Sequence, residues 1–385
     1  VVSEEGDRVT TLELFFDLAF VFAFTQLSRL MAQQHDALGV LQALVILALL
    51  WWTWTAYGWL SNVAHADAGV VRIAMIVGMS AVFVVGLVSL EAYEDLPGGL
   101  FAPLVLVVAY LVARLAHAVV FVLLSEPALR RRTLVTVALS VVPSGALLTV
   151  GALVGSPWQV WLGLAAVAIE PIVSYRTSAG VEWPVRSTTH FAERHGLIVI
   201  LALGESILAI GAGVAAEPIT PAILVGSLLS MLIAVALWWS YFSRVAGRAE
   251  RALADHTTSG RARVATDGYT YLHLALVAGV VLAALGLEVA MSHIEDDEGM
   301  GLFGATALGA GAACYLAGTG FFARRVIGER SAIRFAGATL LVVGVPLLAV
   351  LRPIAALTVV AAALVALLVA ERIAAATMAV RGGAQ

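Results

Sequence analysis

Glu13-Leu-Phe-Phe-Asp17-Leu-Ala-Phe-Val-Phe-Ala-Phe-Thr-Gln26 is the centre of an apolar run from 12 to 34. A helix rises 1.5 Å per residue and the hydrocarbon core of a bilayer is about 30 Å thick, so roughly 20 mostly apolar residues cross it. This run is long enough, and runs like it fill most of the chain. Read against their breakers, spans are expected at 12–34, 38–61, 70–91, 101–124, 133–154, 158–175, 195–215, 220–243, 268–290, 301–323, 333–351 and 354–377. Leu96-Pro97-Gly98-Gly99, Gly155-Ser156-Pro157, Glu217-Pro218 to Pro221, and Arg352-Pro353 supply the tight turns. The 385 residues are 61% hydrophobic and 12% charged, with a mean hydropathy of +0.97. Soluble proteins carry about 25% charged residues, so a soluble globular enzyme is excluded. The expected fold is all-α, a polytopic transmembrane helical bundle of about 12 spans.

Arginine sets the orientation. All 22 basic residues are Arg, which reads as the base composition of the genome. The N-terminal segment and every second connection hold nearly all of them, from Arg8 and Arg72 through Arg130, Arg131 and Arg132 to Arg372 and Arg381; Arg29 and Arg352 fall on the other side. The positive-inside rule then puts both termini in the cytoplasm of a bacterium, with the bundle in the inner membrane. The acids Glu4, Glu5 and Asp7 are not the basic start of a signal peptide, so the first span is expected to be retained. A net charge of -4 gives no sign of a nucleic-acid partner. The lone Cys314 permits no intramolecular disulfide and argues against a thiolate metal site. The expected partners are membrane lipid and a small solute or ion, with an oligomer open.

The two halves of the chain resemble each other. The first span has Asp17 to Gln26 where the seventh has Gly196 to Glu205, each preceded by an acid, Glu13 or Glu193. Trp51-Trp52-Thr-Trp54 matches Trp238-Trp239-Ser-Tyr241; Leu90-Glu91 matches Leu287-Glu288; Val142-Pro143 matches Val345-Pro346; Ile169-Glu170 matches Ala370-Glu371. Five matches in one order are expected to mark two six-helix repeats, 1–185 and 186–385. An even number of spans gives both the same orientation, so the repeats are parallel and relate about an axis along the membrane normal, with a shared cavity expected between them.

Ionisable groups at membrane depth cost at least ~2.5 kcal/mol and usually face a partner or a wet cavity. Glu13 and Asp17, four apart, share a helix face, and Gln26 lies nearly on it. Helix capping accounts for Glu13, whereas Asp17 is more than a turn inside and reads as functional. Glu205 is about 14 Å into its span and is expected either to be protonated or to pair with Arg114, which has His117 on its own face. Asp17, Glu205, Arg114, His117 and His195 are therefore the candidate transport or proton-coupling residues. Glu13, Gln26, Trp51 and Trp238 are candidates to line a pore or cavity, and His65, Arg72, Glu193 and Arg194 to form a cytoplasmic entry. At that entry interfacial charge is cheap, and His195 is expected to meet Asp17 or Glu13. His190, Glu193 and His195 follow no recognised metal-ligand spacing. Glu91, Glu288, Glu170 and Glu371 fall near span ends, where interface exposure accounts for them.

The stretches Glu13 to Gln26 and Glu193-Arg-His-Gly-Leu-Ile-Val-Ile-Leu-Ala-Leu-Gly-Glu205-Ser206 closely resemble the two signatures of the bacterial low temperature requirement protein A (LtrA) family. The resemblance covers essentially the whole chain and implies a multi-pass inner-membrane protein without a settled activity. Phe15-Phe16-Asp17 followed by Phe20 to Thr25 also resembles the Phe-Ser-Asp signature of endolysosomal-type potassium channels, which are built on a six-helix unit. Phe16 replaces the Ser, and Gly196 stands at the corresponding Asp of the seventh span.

No Walker A loop, Gly-x-Ser-x-Gly elbow or His-Glu-x-x-His pair is present, so neither ATP-driven transport nor a cofactor is expected. The leading expectation is a proton-coupled transporter of a small solute or ion through the cavity between the repeats. The alternatives are a cation channel with the first and seventh spans lining the pore, and a membrane-embedded enzyme acting on a lipid-soluble substrate.

Overall fold

The computed structural model describes residues 6–67, 69–178, 185–215 and 217–382. Glu4, Glu5 and the side chain of Arg381 lie outside the described residues. The fold is all-α. In chain order the helices are α1 (Thr11–Gln34), α2 (Ala37–Val63), α3 (Gly69–Val88), α4 (Ala102–Leu124), α5 (Pro127–Val154), α6 (Trp158–Ser178), α7 (Thr188–Gly213), α8 (Pro221–Tyr241), α9 (Gly247–Asp255), α10 (Thr258–Val264), α11 (His273–Ser292), α12 (Gly301–Val326), α13 (Ala332–Val343), α14 (Val345–Val350) and α15 (Pro353–Gly382). A 3-10 turn, Ser89–Glu91, follows α3, and π-helical segments at Phe242–Ala246 and Ala265–Leu272 follow α8 and α10.

Among the described residues, eleven helices are long and apolar enough to cross a membrane, in agreement with about 12 expected spans. The span expected at 333–351 is divided at Gly344 into α13 and α14. Pro346 has no N–H, and its ring opposes the carbonyl four residues back, so the helix restarts with Pro346 in its first turn. A second difference bears on function. The helix expected from 195 begins at Thr188, which moves His190, Glu193, Arg194 and His195 from a loop onto α7 and sets His190 and Arg194 on one face.

The helix ends follow local chemistry. Thr10 and Glu13 form a reciprocal capping box on α1: Glu13 N donates to Thr10 Oγ1 at 3.3 Å, and Thr10 N donates to Glu13 Oε2 at 2.8 Å. Asp36 accepts from Gly39 N at 2.7 Å at the start of α2, and Thr220 caps α8 with Pro221 as its first residue.

The chain divides into two compact units, Val1–Arg194 with His256–Ala265, and His195–Asp255 with Thr266–Gln385. In the first, α1 packs on α2 and α3, α3 on α4, α4 on α5, α5 on α6, and α2 against α4 and α6. Tyr57 of α2 is fully buried, and its hydroxyl reaches the carbonyls of Ala113 (3.0 Å) and Ala74 (3.2 Å), tying α2 to α4 and α3. In the second unit α12 is central, packing on α11, α13, α14 and α8, while α15 packs on α8 and α13. The α11–α12 pair meets backbone to backbone. A Cβ on Gly286 would lie 2.3 Å from Leu308 N, one on Gly279 2.5 Å from Tyr315 N, and one on Gly311 2.4 Å from Ala283 N. Small residues two turns apart on both helices permit that approach, the usual device where lipid removes the hydrophobic drive to associate. Ile73, Leu153, Leu228 and Val343 are among the large apolar side chains left exposed, as a lipid-facing surface requires.

Candidate functional site

Polar and charged side chains of the first unit converge where α1 and α7 begin. The capping box fixes the Glu13 carboxylate, and Asp17 follows one turn later on the same face. Arg194 spans the two: its Nη1 donates to Glu13 Oε1 and its Nη2 to Asp17 Oδ1, both at 2.9 Å. Trp54 of α2 donates from Nε1 to Asp17 Oδ1 at 2.8 Å. Glu13, Asp17, Trp54 and Arg194 are all 0% exposed, and His190 is 4% exposed. The Arg194 guanidinium also lies 5.4 Å from the centre of the Trp54 ring.

Asn62 of α2 and His190 of α7 join this network. Asn62 Oδ1 accepts from Arg186 N at 2.8 Å and its Nδ2 donates to Ser187 O at 2.7 Å, which fixes the amide orientation. The same Nδ2 faces His190 Nδ1 at 3.4 Å, and the ring turns its Nε2 to Glu13. That Nε2–H donates to Glu13 Oε1 at 2.9 Å. Glu13 therefore accepts from Arg194, His190 and Thr10, the surroundings of an ionised carboxylate. Glu13 and Asp17 thus share the one guanidinium of Arg194 in a site closed to solvent. The Oδ2 of Asp17 has no hydrogen-bond partner among the described residues.

A second buried group lies in the same unit. Arg114 of α4 pairs with Glu170 of α6, Nη2 to Oε2 at 2.6 Å, and Glu170 Oε1 accepts from Tyr110 (2.6 Å) and from Ser144 of α5 (2.8 Å). This corrects the expected pairing of Arg114 with Glu205, and it corrects the reading of Glu170 as an exposed end residue, since Glu170 is 1% exposed. A helix α6 that reaches Ser178 carries Glu170 inside, opposite α4. Among the described residues, Arg114 Nε and Nη1 and His117 Nε2 have no hydrogen-bond partner. His117 is buried against Tyr57 and Phe121.

The second unit holds Glu205 and Ser206, both buried on α7. His195 packs edge-on against Tyr269 and His273, and His273 Nε2 lies 2.9 Å from the Tyr241 hydroxyl. The expected meeting of a histidine with Glu13 does occur, but through His190: residues one turn apart, 190 and 194, share the face that meets α1, and 195 is turned away from it. Glu371 is again a buried end residue, held by Arg334 Nε at 2.7 Å.

The other candidates separate. Trp51 is buried and stacked on Trp54, whereas Trp238 is 40% exposed. Gln26 is buried further along α1, outside the network. His65 lies 3.5 Å from Asp7, Glu193 accepts from Val9 N at 3.3 Å, and Arg72 is exposed. Trp54, Asn62 and Glu170 were missed. Trp54 read as one of an aromatic group, and Asn62 gave no signal beyond being a polar residue at the end of an apolar helix.

The sequence profile of bacterial low temperature requirement A protein (LtrA) matches residues 8–369. An uncharacterized protein of Rhizobium meliloti (strain 1021) is 30% identical over 292 residues, 73% of this chain and 69% of the relative. No solved structure matches. The matched segment contains the whole α1–α7 network and all but the last residues of the bundle, and the chain belongs to the bacterial low temperature requirement A family.

Proposed function

We propose that this membrane protein is a proton-coupled transporter of a small solute or ion, with Asp17 as the group that takes up and releases the proton. The observation that carries the reading is the grouping at α1 and α7: two carboxylates that share one guanidinium in a site with no solvent exposure, with a histidine on Glu13 and one Asp17 oxygen that has no hydrogen-bond partner among the described residues. A buried pair of carboxylates around one arginine is what coupling needs, because a membrane retains such groups at high cost only where they have work to do. Glu205, buried on α7, is the second titrating carboxylate of this reading. Arg114, with two donors unpartnered among the described residues, is the contact for an anionic solute, and His117 and His195 are the shuttles. The two parallel repeats, the inner-membrane location and the cytoplasmic termini belong to the same proposal and rest on sequence matches and arginine placement.

The test is flux through the purified protein in liposomes under separately imposed proton and potassium gradients, with Asp17→Asn and Glu205→Gln as controls. The reading expects movement driven by the proton gradient and lost in Asp17→Asn. Undiminished pH-driven flux in folded Asp17→Asn would overturn it. A steady potassium current insensitive to pH would favour a channel instead.

A further inference from the structure

Where α8 ends, the second unit carries a pocket that the transport reading does not use. Its volume is about 360 Å³, and it is lined by Phe242, Ser243, Arg244, Gly247, Arg248 and Arg251. Three of the six are arginines, at positions 244, 248 and 251, which share one helix face. The π-helical segment Phe242–Ala246 joins α8 to α9, and a π-bulge of this kind is frequent at functional sites.

The depth of the pocket follows from α8. Its 21 residues extend about 31 Å, the thickness of the hydrocarbon core, so the first residues beyond it stand at the level of the headgroups. Trp238 and Trp239, both more than a third exposed in its last turn, fit the aromatic belt at that level. Arg372 adds a fourth guanidinium, 5.2 Å from the centre of the Trp239 ring.

The three guanidiniums of the pocket are held differently. Arg248 pairs with Glu329, but Arg244 is anchored by the neutral carbonyl of Glu371 at 2.7 Å, and the carboxylate of Glu371 is taken by Arg334. Arg251 lies over Gly247, where a Cβ would come no nearer than 3.7 Å to its Nη1. Ala249 and Leu253 are buried, which turns the arginines of α9 outward.

We infer that this pocket binds the phosphate of an anionic phospholipid headgroup. Arginine forks match phosphate oxygens, and the pocket opens where such headgroups lie. The inference is independent of the transport reading.

The test uses the full-length protein in detergent, titrated with phosphatidylglycerol, with phosphatidylcholine of the same acyl chains, and with inorganic phosphate, and read by native mass spectrometry. The expected result is preferential retention of phosphatidylglycerol. Arg251→Gln and Arg248→Gln should each weaken it about fivefold, from roughly 1 kcal/mol per basic residue near anionic lipid. Gly247→Leu should fill the pocket and block binding with every charge in place. Equal retention of the two lipids, or unchanged phosphatidylglycerol binding in both folded Arg251→Gln and folded Gly247→Leu, overturns the inference. Inorganic phosphate that binds as tightly as the lipid overturns the assignment to a headgroup.

Discussion

Asp17 and Arg194 differ in what their removal leaves behind. Arg194→Gln strands Glu13 and Asp17 without their shared cation, and breaking a buried ion pair from one side typically costs about 3–5 kcal/mol. A large loss of thermal stability in detergent is expected. Asp17→Asn keeps a side chain of the same shape, with an oxygen for the Trp54 and Arg194 donors, so its melting temperature should stay near that of the parent. The double variant should then recover part of the stability that Arg194→Gln loses, and a melting series of the three proteins checks this. Thr10→Ala removes one hydroxyl from the capping box and should cost about 1 kcal/mol by the same measurement. The sequence exposed Glu13 and Asp17 as a pair because helical periodicity brings i and i+4 together within one segment. It could not expose Asn62, whose partners, two backbone atoms and the His190 ring, lie more than 120 residues away.

At the scale of the helix, the α11–α12 contact is the most constrained packing in the second unit, because backbone atoms oppose its glycines and cannot move aside. Gly286→Val or Gly311→Val should therefore destabilise by more than the ~1–3 kcal/mol usual for overpacking, with loss of monodisperse protein on size exclusion as the readout. Pro346→Ala restores an N–H and should join α13 to α14, detectable as slowed hydrogen exchange around Gly344. The spans themselves were legible because each is a long apolar run bounded by turn residues. The start of α7 was not, because polar His190, Glu193 and Arg194 read as a loop when hydropathy alone sets the boundary. Their burial supplies what hydropathy lacked: partners on α1 for His190 and Arg194. The same cause hid Glu170 and Glu371, which read as exposed ends and are buried by arginines from other helices.

For the molecule as a whole, the arginine distribution gives a topology that accessibility can test. With Cys314 replaced by Ala, a cysteine introduced at Glu298 should be labelled by an impermeant thiol reagent from outside the cell, and one introduced at Arg263 only after permeabilisation. The composition made the membrane class plain, and the paired signatures pointed to the family. Neither could show which of two carboxylates one turn apart is fully supplied with donors and which is left with a bare oxygen, since that depends on Trp54, Asn62 and Arg194 arriving from α2 and α7. On that difference rests the claim that the network holds one exchangeable proton and that Asp17 carries it. Infrared difference spectroscopy across a pH titration measures it directly. The account expects a carboxylic-acid C=O band that fades as pH rises, is absent from Asp17→Asn and persists in Glu205→Gln. The same band, undiminished in folded Asp17→Asn, would contradict it.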